Sequence, residues 1–381
     1  MQAETTLYLD HAATTPLWDE VRAAMAPYLD DRFANASSLY AAAREARKGI
    51  EEAREVVAAV VGGRPDEVIF TSGGTEADNL ALQGAAWRQR GQGRDGIVVS
   101  AIEHHAVLDT AAWLAKRHGF RLTEVPVDGA GVVDLDALAD AVDAKTAVVS
   151  VMMANNEVGA IQPVARAAEI ARAAGARVHT DAVQALPWID VRAGDADLIA
   201  LAAHKLGGPK GVGALIVRRG VGIEPVVHGG GQERGLRSGT YNVAGIVGFG
   251  EAVRLTEQDK AARSGRVRAL RDRLEQGLLS RIDRIRAHGA GAERLPNSCN
   301  VGIAGVESEP LLLLLDAAGV AASSGSACQS GATEPSHVLK AMRVPDEYAR
   351  GALRLTLGRE TTEVMVDQVI AHVARAVGQL R

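Results

Sequence analysis

Aromatic side chains are scarce in this chain: Phe, Trp and Tyr make up 3% of its 381 residues. With 47% hydrophobic content, packing must come from Ala, Val, Leu and Ile, the aliphatic make-up of strands buried on both faces in α/β layers. Cysteine is nearly absent. The two present, Cys299 and Cys328, form no CxxC pair, so neither a disulfide framework nor a zinc site is suggested. Apolar runs such as Leu311–Leu315, closed by Glu309 and Asp316, are far too short to span a bilayer. Positive charge is not in excess, and a net charge of -5 argues against an electrostatic footprint for nucleic acid or anionic membrane. The opening MQAETTLYLDHAATTP lacks the basic and apolar regions of a secretory signal. A cytoplasmic protein is the expectation.

What the chain has instead is a succession of short aliphatic runs, each followed by a polar or glycine-rich turn. The run at 68–71 enters Ser72-Gly73-Gly74-Thr75 and an amphipathic helix with Leu80, Leu82 and Ala85. Strand, glycine turn and helix N-terminus is a geometry that binds phosphate, because free N–H groups and the helix dipole face the anion. Ser72 and Thr75 would add hydroxyls, although a capped helix after a tight turn reads the same. The GxxxxGK[ST] of a nucleotide P-loop is absent. Further strands are predicted at 97–100, 121–126 and 147–152. The first leads to His104, suited to stacking on a flat ring, to proton transfer, or to an ordinary loop role. The last leads to the amide pair Asn155-Asn156, good equipment for a polar ligand or an Asx turn. The alternation runs to about 217 and predicts an α/β fold with a mostly parallel sheet.

The chain is organised around 176–213. Two apolar runs there close on Thr180-Asp181 and on His204-Lys205. As parallel neighbours they would bring a carboxylate and an amine to the rim where α/β sheets hold ligands. That pair suits pyridoxal phosphate, which needs a lysine to carry it and an acid at its ring nitrogen. A surface salt bridge or two unrelated loop charges would leave the same letters, and Lys210 is a rival amine.

Beyond this, 228–242 is a Gly/Arg loop of the kind that carries function. A helix is predicted from 243 towards 260. From 263 to 288, Val267, Leu270, Leu274, Leu278, Ile282 and Ile285 keep helical spacing, and the arginines between them read as a solvated face. A second domain is expected to begin near 258, giving a large domain at 16–257 and a small one from 1–15 and 258–381. Cys299 alternates with Val301 and Ile303 and reads as a buried strand residue. Cys328 sits among Ser and Gly, the composition of a mobile, exposed loop, where a thiolate could attack a sulfur and carry it elsewhere.

Taken in order, YLDHAATTP, FTSGGTEADN, EHHAV, NNEVG, HTDAVQ, HKLGGPKG, GGGQERGLRSGT, SSGSACQS and LRLTLGR resemble the cysteine desulfurases of the NifS/IscS type, class V members of the pyridoxal-phosphate-dependent transferases of fold type I. The resemblance covers nearly the whole chain. It implies a large domain with a mostly parallel central sheet, a smaller C-terminal α+β domain, a homodimer, pyridoxal 5'-phosphate as cofactor and L-cysteine as substrate. It implies Lys205, rather than Lys210, as the amine that carries the cofactor, Asp181 at the pyridine nitrogen, His104 stacked on the ring and Gln184 at the phenolic oxygen. Gly74, Thr75, His204 and, from the second copy, Thr240 would surround the phosphate. Asn35, Asn156 and Arg354 would meet the substrate, and Asn156 the cofactor as well. Cys328 would take the substrate sulfur as a persulfide, leaving alanine, and pass it to an iron-sulfur scaffold or a tRNA thiolation pathway. No metal is implied in the desulfurase reaction, although Cys328 could contact a cluster during transfer, and neither nucleic acid nor membrane is an expected direct partner.

Three departures from the family pattern stand out. Ala202 occupies a position commonly held by Ser, Asn35-Ala36-Ser37-Ser38-Leu39-Tyr40 replaces NPxSxH, and the chain stops at GQLR without the tail some members use to dock a scaffold. Rival readings are a selenocysteine lyase or another class V aminotransferase-fold enzyme, and a catalytically idle sulfur-transfer partner. Retention of Lys205, Asp181, His104 and Cys328 together argues against the idle partner.

Overall fold

The computed structural model describes residues 6–324 and 335–381, so Cys328 lies outside the described residues. The chain runs β1 (Leu7–Tyr8), α1 (Asp19–Leu29), α2 (Ala41–Val60), β2 (Val68–Thr71), α3 (Gly74–Arg90), β3 (Gly96–Ser100), α4 (His105–His118), β4 (Arg121–Val125), α5 (Leu135–Ala141), β5 (Thr146–Ser150), α6 (Val164–Ala173), β6 (Arg177–Asp181), β7 (Leu198–Ala202) and β8 (Gly213–Val217). It continues through α7 (Val243–Arg281), β9 (Ile285–Ala287), β10 (Ser298–Ile303), α8 (Ser308–Ala317), β11 (Val320–Ala321), α9 (His337–Ala341), α10 (Asp346–Ala349), β12 (Ala352–Thr356) and α11 (Glu363–Leu380).

Seven strands form the central sheet in the order β2-β8-β7-β6-β5-β3-β4. Every pairing from β7 through β4 is parallel, and β8 alone runs against its neighbours. The aliphatic runs explain the layering: β7 reads Leu-Ile-Ala-Leu-Ala and is buried throughout, as a strand covered on both faces must be. The edge strand β4 carries Arg121 and Glu124 and is largely exposed, which suits an edge that must not recruit another strand. Because β3, β5, β6 and β7 are parallel, their carboxyl ends share one rim. Ser100–His104, Ser150–Asn156, Asp181 and Lys205 therefore converge there.

A three-stranded antiparallel sheet, β12-β10-β9, and the short parallel pair β1-β11 complete the strands. Cys299 on β10 is fully buried, and burial pushes its thiol up to about 12, which makes it inert at neutral pH. Val366, Ile370, Val373 and Val377 of α11 face inward as their spacing predicts.

The 243–288 region departs from expectation. α7 is one 39-residue helix that passes unbroken through 258, and its end at Arg281 leaves Ile282 outside it and Ile285 in β9. The sequence obscures this because the buried face turns polar midway. Lys260, Arg263 and Arg271 are buried rather than solvated: Arg263 donates to the carbonyls of Pro187 (2.8 Å) and Thr256 (3.1 Å), and Arg271 to those of Leu295 and Ser298 (both 3.3 Å). Among the described residues no helix is long and apolar enough to cross a membrane.

Candidate active site

Lys205 closes a single 3-10 turn, Ala203–Lys205, that follows β7. Its Nζ donates to the carbonyls of Ala12 (2.5 Å) and Ala13 (2.8 Å). Gln184 Nε2 reaches the same Ala12 oxygen at 2.9 Å. The N-terminal DHAATTP segment is thus the hub that brings Lys205 and Gln184 together, and it also staples the turn after the lysine. Thr15 Oγ1 donates to the His204 carbonyl at 2.9 Å and accepts from Gly207 N at 2.8 Å. Gly207 has φ +78°, and a Cβ there would stand 2.1 Å from the Trp18 ring, so only glycine fits. Rival Lys210 is exposed.

Asp181 ends β6, buried, with Oδ1 accepting from Val183 N at 2.8 Å. His104 caps α4, its Nδ1 accepting from Ala106 N at 3.1 Å, so a neutral ring carries its proton on Nε2. Burial pulls the His104 imidazole below its ordinary value; the Asp181 charge opposes this, and the Lys205 charge adds to it. His104, Asp181 and Lys205 accordingly share one electrostatic neighbourhood. His204 is driven down to about 4 by burial, then by Lys205 and Lys210, and its Nδ1 lies 3.2 Å from Thr14 Oγ1. If Thr14 donates there, Nε2–H is free to donate.

The glycine turn before α3 packs against β7: a Cβ on Gly74 would lie 2.9 Å from Val183 Cγ2 and 3.7 Å from Ala202 Cβ. The α3 N-terminus and Ala202 therefore face each other. Thr75 is exposed there, whereas Ser72 does not serve as the expected donor. Its hydroxyl is bonded to Glu76, which Arg237 holds in turn at 2.6 and 3.1 Å.

Of the other expected residues, Arg354 and Asn156 are brought together beside Asp10. Asn35 is exposed and makes a local turn, accepting from Ser37 N at 3.0 Å. Thr240 is exposed in the wall of a separate pocket with Thr71, Ser72 and Arg237. Asn156 is half-buried, while Asn155 is fully buried and structural, accepting from Glu157 N and Val158 N. Arg354 is buried with Nη2 on Asp10 Oδ1 at 2.7 Å and Nη1 on the Asn156 carbonyl at 3.1 Å, and its Nε has no hydrogen-bond partner. Sequence reasoning missed Asp10, Thr14, Thr15 and the Ala12 and Ala13 carbonyls. Asp10 lies within YLDHAATTP and was detectable as an acid just past the short strand β1; backbone acceptors leave no letter.

The aminotransferase class-V family model matches residues 7–369. A cysteine desulfurase of Gluconacetobacter diazotrophicus is 47% identical over 98% of this chain and 94% of its own. The cysteine desulfurase IscS of Methanosarcina thermophila is 46% identical over 98% of this chain and 93% of its own. A solved NifS-like protein superposes with a TM-score of 0.92 at 36% identity, covering 98% of this chain and all of that one. The chain belongs to the class-V aminotransferase family, among its cysteine desulfurases. Enzymes of this family depend on pyridoxal phosphate. The residues present fit that group. An amine held by two carbonyls, a buried carboxylate, and a helix N-terminus whose glycine leaves no room for a Cβ are the donor set and cradle it requires.

Proposed function

We propose that the protein is a pyridoxal-phosphate-dependent cysteine desulfurase that moves sulfur from L-cysteine to Cys328. The observation that carries this reading is the convergence of Lys205, Gln184, Asp181 and His104 on one rim. When bound, the cofactor supplies an electron sink for negative charge at the substrate α-carbon. Lys205 would carry the cofactor and, once released from it, move the α-proton; the Ala12 and Ala13 carbonyls place the free amine. Asp181 would keep the ring nitrogen charged, with His104 and Gln184 as the neighbouring ring partners. Gly74, Thr75 and His204 would hold the phosphate, with Thr240 from a second copy in a homodimer. Asn35 and Asn156 bind the substrate with Arg354, whose hold on Asp10 yields to the substrate carboxylate.

The net reaction balances with one thiol. The Cβ–S bond of L-cysteine breaks, its electron pair and a proton go to Cβ, the substrate sulfur bonds to the Cys328 sulfur, and L-alanine leaves. The persulfide then passes to a thiol of an iron-sulfur scaffold or a tRNA-thiolation acceptor in the cytoplasm. Residues 16–257 form the cofactor domain, and 1–15 with 258–381 the smaller one.

The test is to supply L-cysteine with a thiol reductant and measure alanine and sulfide together. Both should appear in equal amounts. Cys328→Ser should keep the cofactor and its spectral response to L-cysteine yet release almost no sulfide. Near-normal sulfide from that variant, or cofactor found on Lys210 after borohydride reduction and mass spectrometry, overturns the assignment.

A further inference from the structure

Beneath Asp181 a line of four buried polar side chains crosses the sheet, and the function proposed above uses none of them. His179 lies two residues before Asp181 and so shares its face of β6. Its Nε2 is 3.3 Å from Oδ1 of Asp78, which sits about one helical turn beyond Gly74 in α3. Its Nδ1 is 2.8 Å from Ser150 Oγ, directly opposite on β5. Ser150 Oγ donates to Glu103 Oε2 at 3.3 Å, while Glu103 Oε1 accepts from Ser100 Oγ at 2.5 Å and Met152 N at 2.6 Å. Asp78 is 1% exposed and the other three are fully buried.

The protons along this line can be ordered. Glu103 has three donors aimed at it, which makes it the accepting end of the line. Ser150 has one proton; given to Glu103, it leaves an oxygen that accepts from His179 Nδ1–H. His179 Nε2 is then a bare lone pair. Asp78 Oδ1 faces it, and neither atom has another hydrogen-bond partner, so Asp78 supplies the proton as a neutral acid. The reverse order would set a charged Asp78 beside the charge of Asp181. Burial, then the Asp181 charge, drives the Asp78 carboxyl well above its ordinary range. Burial pushes Glu103 up to about 7 against the pull of Ser100 and Met152, and burial holds His179 neutral, near 4. Asp181 is the further charged group that acts on all three.

We propose that Asp78, His179, Ser150 and Glu103 are positioning residues forming a one-way hydrogen-bond line. Asp78 is its neutral donor, which leaves the carboxylate charge at the cofactor nitrogen to Asp181 and ties the phosphate-facing end of α3 to β6. The proposal rests on reading Asp181 as the partner of the cofactor.

The test is nitrogen-15 NMR of the histidine-labelled full chain, loaded and free of cofactor, with the His179 signal assigned by its absence in His179→Gln. The expected result is a neutral His179 with its proton on Nδ1 in both forms, unchanged in Asp78→Asn, whose amide can donate in place of the acid. Asp78→Asn should hold the cofactor within about twofold of wild type, and Asp78→Leu should bind it about tenfold more weakly. A proton on Nε2, an imidazolium at neutral pH, or an Asp78→Asn as weak as Asp78→Leu overturns the line. Because the tautomer is read without cofactor, it stands apart from the reading of Asp181, which fails instead if the wild type does not bind pyridoxal phosphate. Should Asp78→Leu not fold, the tautomers of the wild type and Asp78→Asn decide.

Discussion

Ala202 ends β7 with its methyl group aimed at the glycine turn of α3, the distance from a Cβ built on Gly74 being 3.7 Å. A hydroxyl added at that point faces the ligand end of the helix, where Thr75 is already open. Ala202→Ser should therefore add a hydrogen bond to a charged acceptor, at most roughly 1.5–3 kcal/mol. Displacing an ordered water would take back part of this gain. The expected outcome is cofactor affinity rising about tenfold, with turnover little changed because the phosphate does not enter the chemistry. Cofactor loss during dialysis against a carbonyl reagent measures it. Equal rates for wild type and variant would mean that residue 202 does not face the phosphate.

At the scale of elements, the loop 228–242 is held by one buried pair. Glu233 and Arg234 both have positive φ, 48° and 57°, conformations that cost about 1–3 kcal/mol each in a non-glycine residue. Glu233 offsets this by accepting from Arg54 Nη1 (2.8 Å), Arg54 Nη2 (2.7 Å) and Phe70 N (2.8 Å), which fasten the loop to α2 and β2. Burial works against the Arg54 charge, and the hydrogen bonds and charge of Glu233, with Glu51, outweigh it. Arg54→Met leaves the Glu233 charge buried and unpaired, so it should destabilise the protein by about 3–5 kcal/mol in urea unfolding, with Arg54→Met/Glu233→Leu recovering part of the loss. A single variant as stable as wild type would show the pair to be incidental. The same pair marks where sequence reading ends. β2 and β7 were legible to within a residue or two, because aliphatic runs between glycine and polar turns leave few alternatives. Lys205, Asp181 and His104 were legible as candidates because Asp181 ends β6, Lys205 follows β7 by one turn and His104 caps α4. Arg54 was not, since an arginine on an amphipathic helix reads as solvated and its partner lies 179 residues away. Nor was the Ala12 carbonyl, 193 residues from Lys205, nor the continuity of α7 through a face that buries Lys260 and Arg263.

Across the whole molecule, buried histidines and buried carboxylates pull the acid response in opposite directions. Burial holds His11, His179, His204 and His288 near 4, and lowers His104 and His337. In the unfolded chain each takes a proton near pH 6.5. Below 6.5 unfolding therefore consumes protons at these sites, and their contribution to stability, full above 6.5, is lost as the pH falls. Asp78, Glu103 and Glu157 are raised by burial, Glu103 to about 7. There the fold binds protons more readily than the unfolded chain, so acidification from 7 towards the ordinary carboxylate range is stabilising. Six histidines outnumber the three carboxylates, and each proton of net uptake on unfolding is worth about 1.4 kcal/mol per pH unit. Stability should therefore fall from pH 6.5 to 4.5. His288 isolates one proton of that slope, being bonded through Nδ1 to Asn300 Oδ1 at 2.8 Å, a contact a glutamine amide can keep. His288→Gln should therefore flatten the slope by up to about 1.4 kcal/mol per unit. Urea unfolding at pH 6.5, 5.5 and 4.5 reads both slopes. Stability that rises on acidification in the wild type would mean that the buried carboxylates, rather than the histidines, govern the acid response.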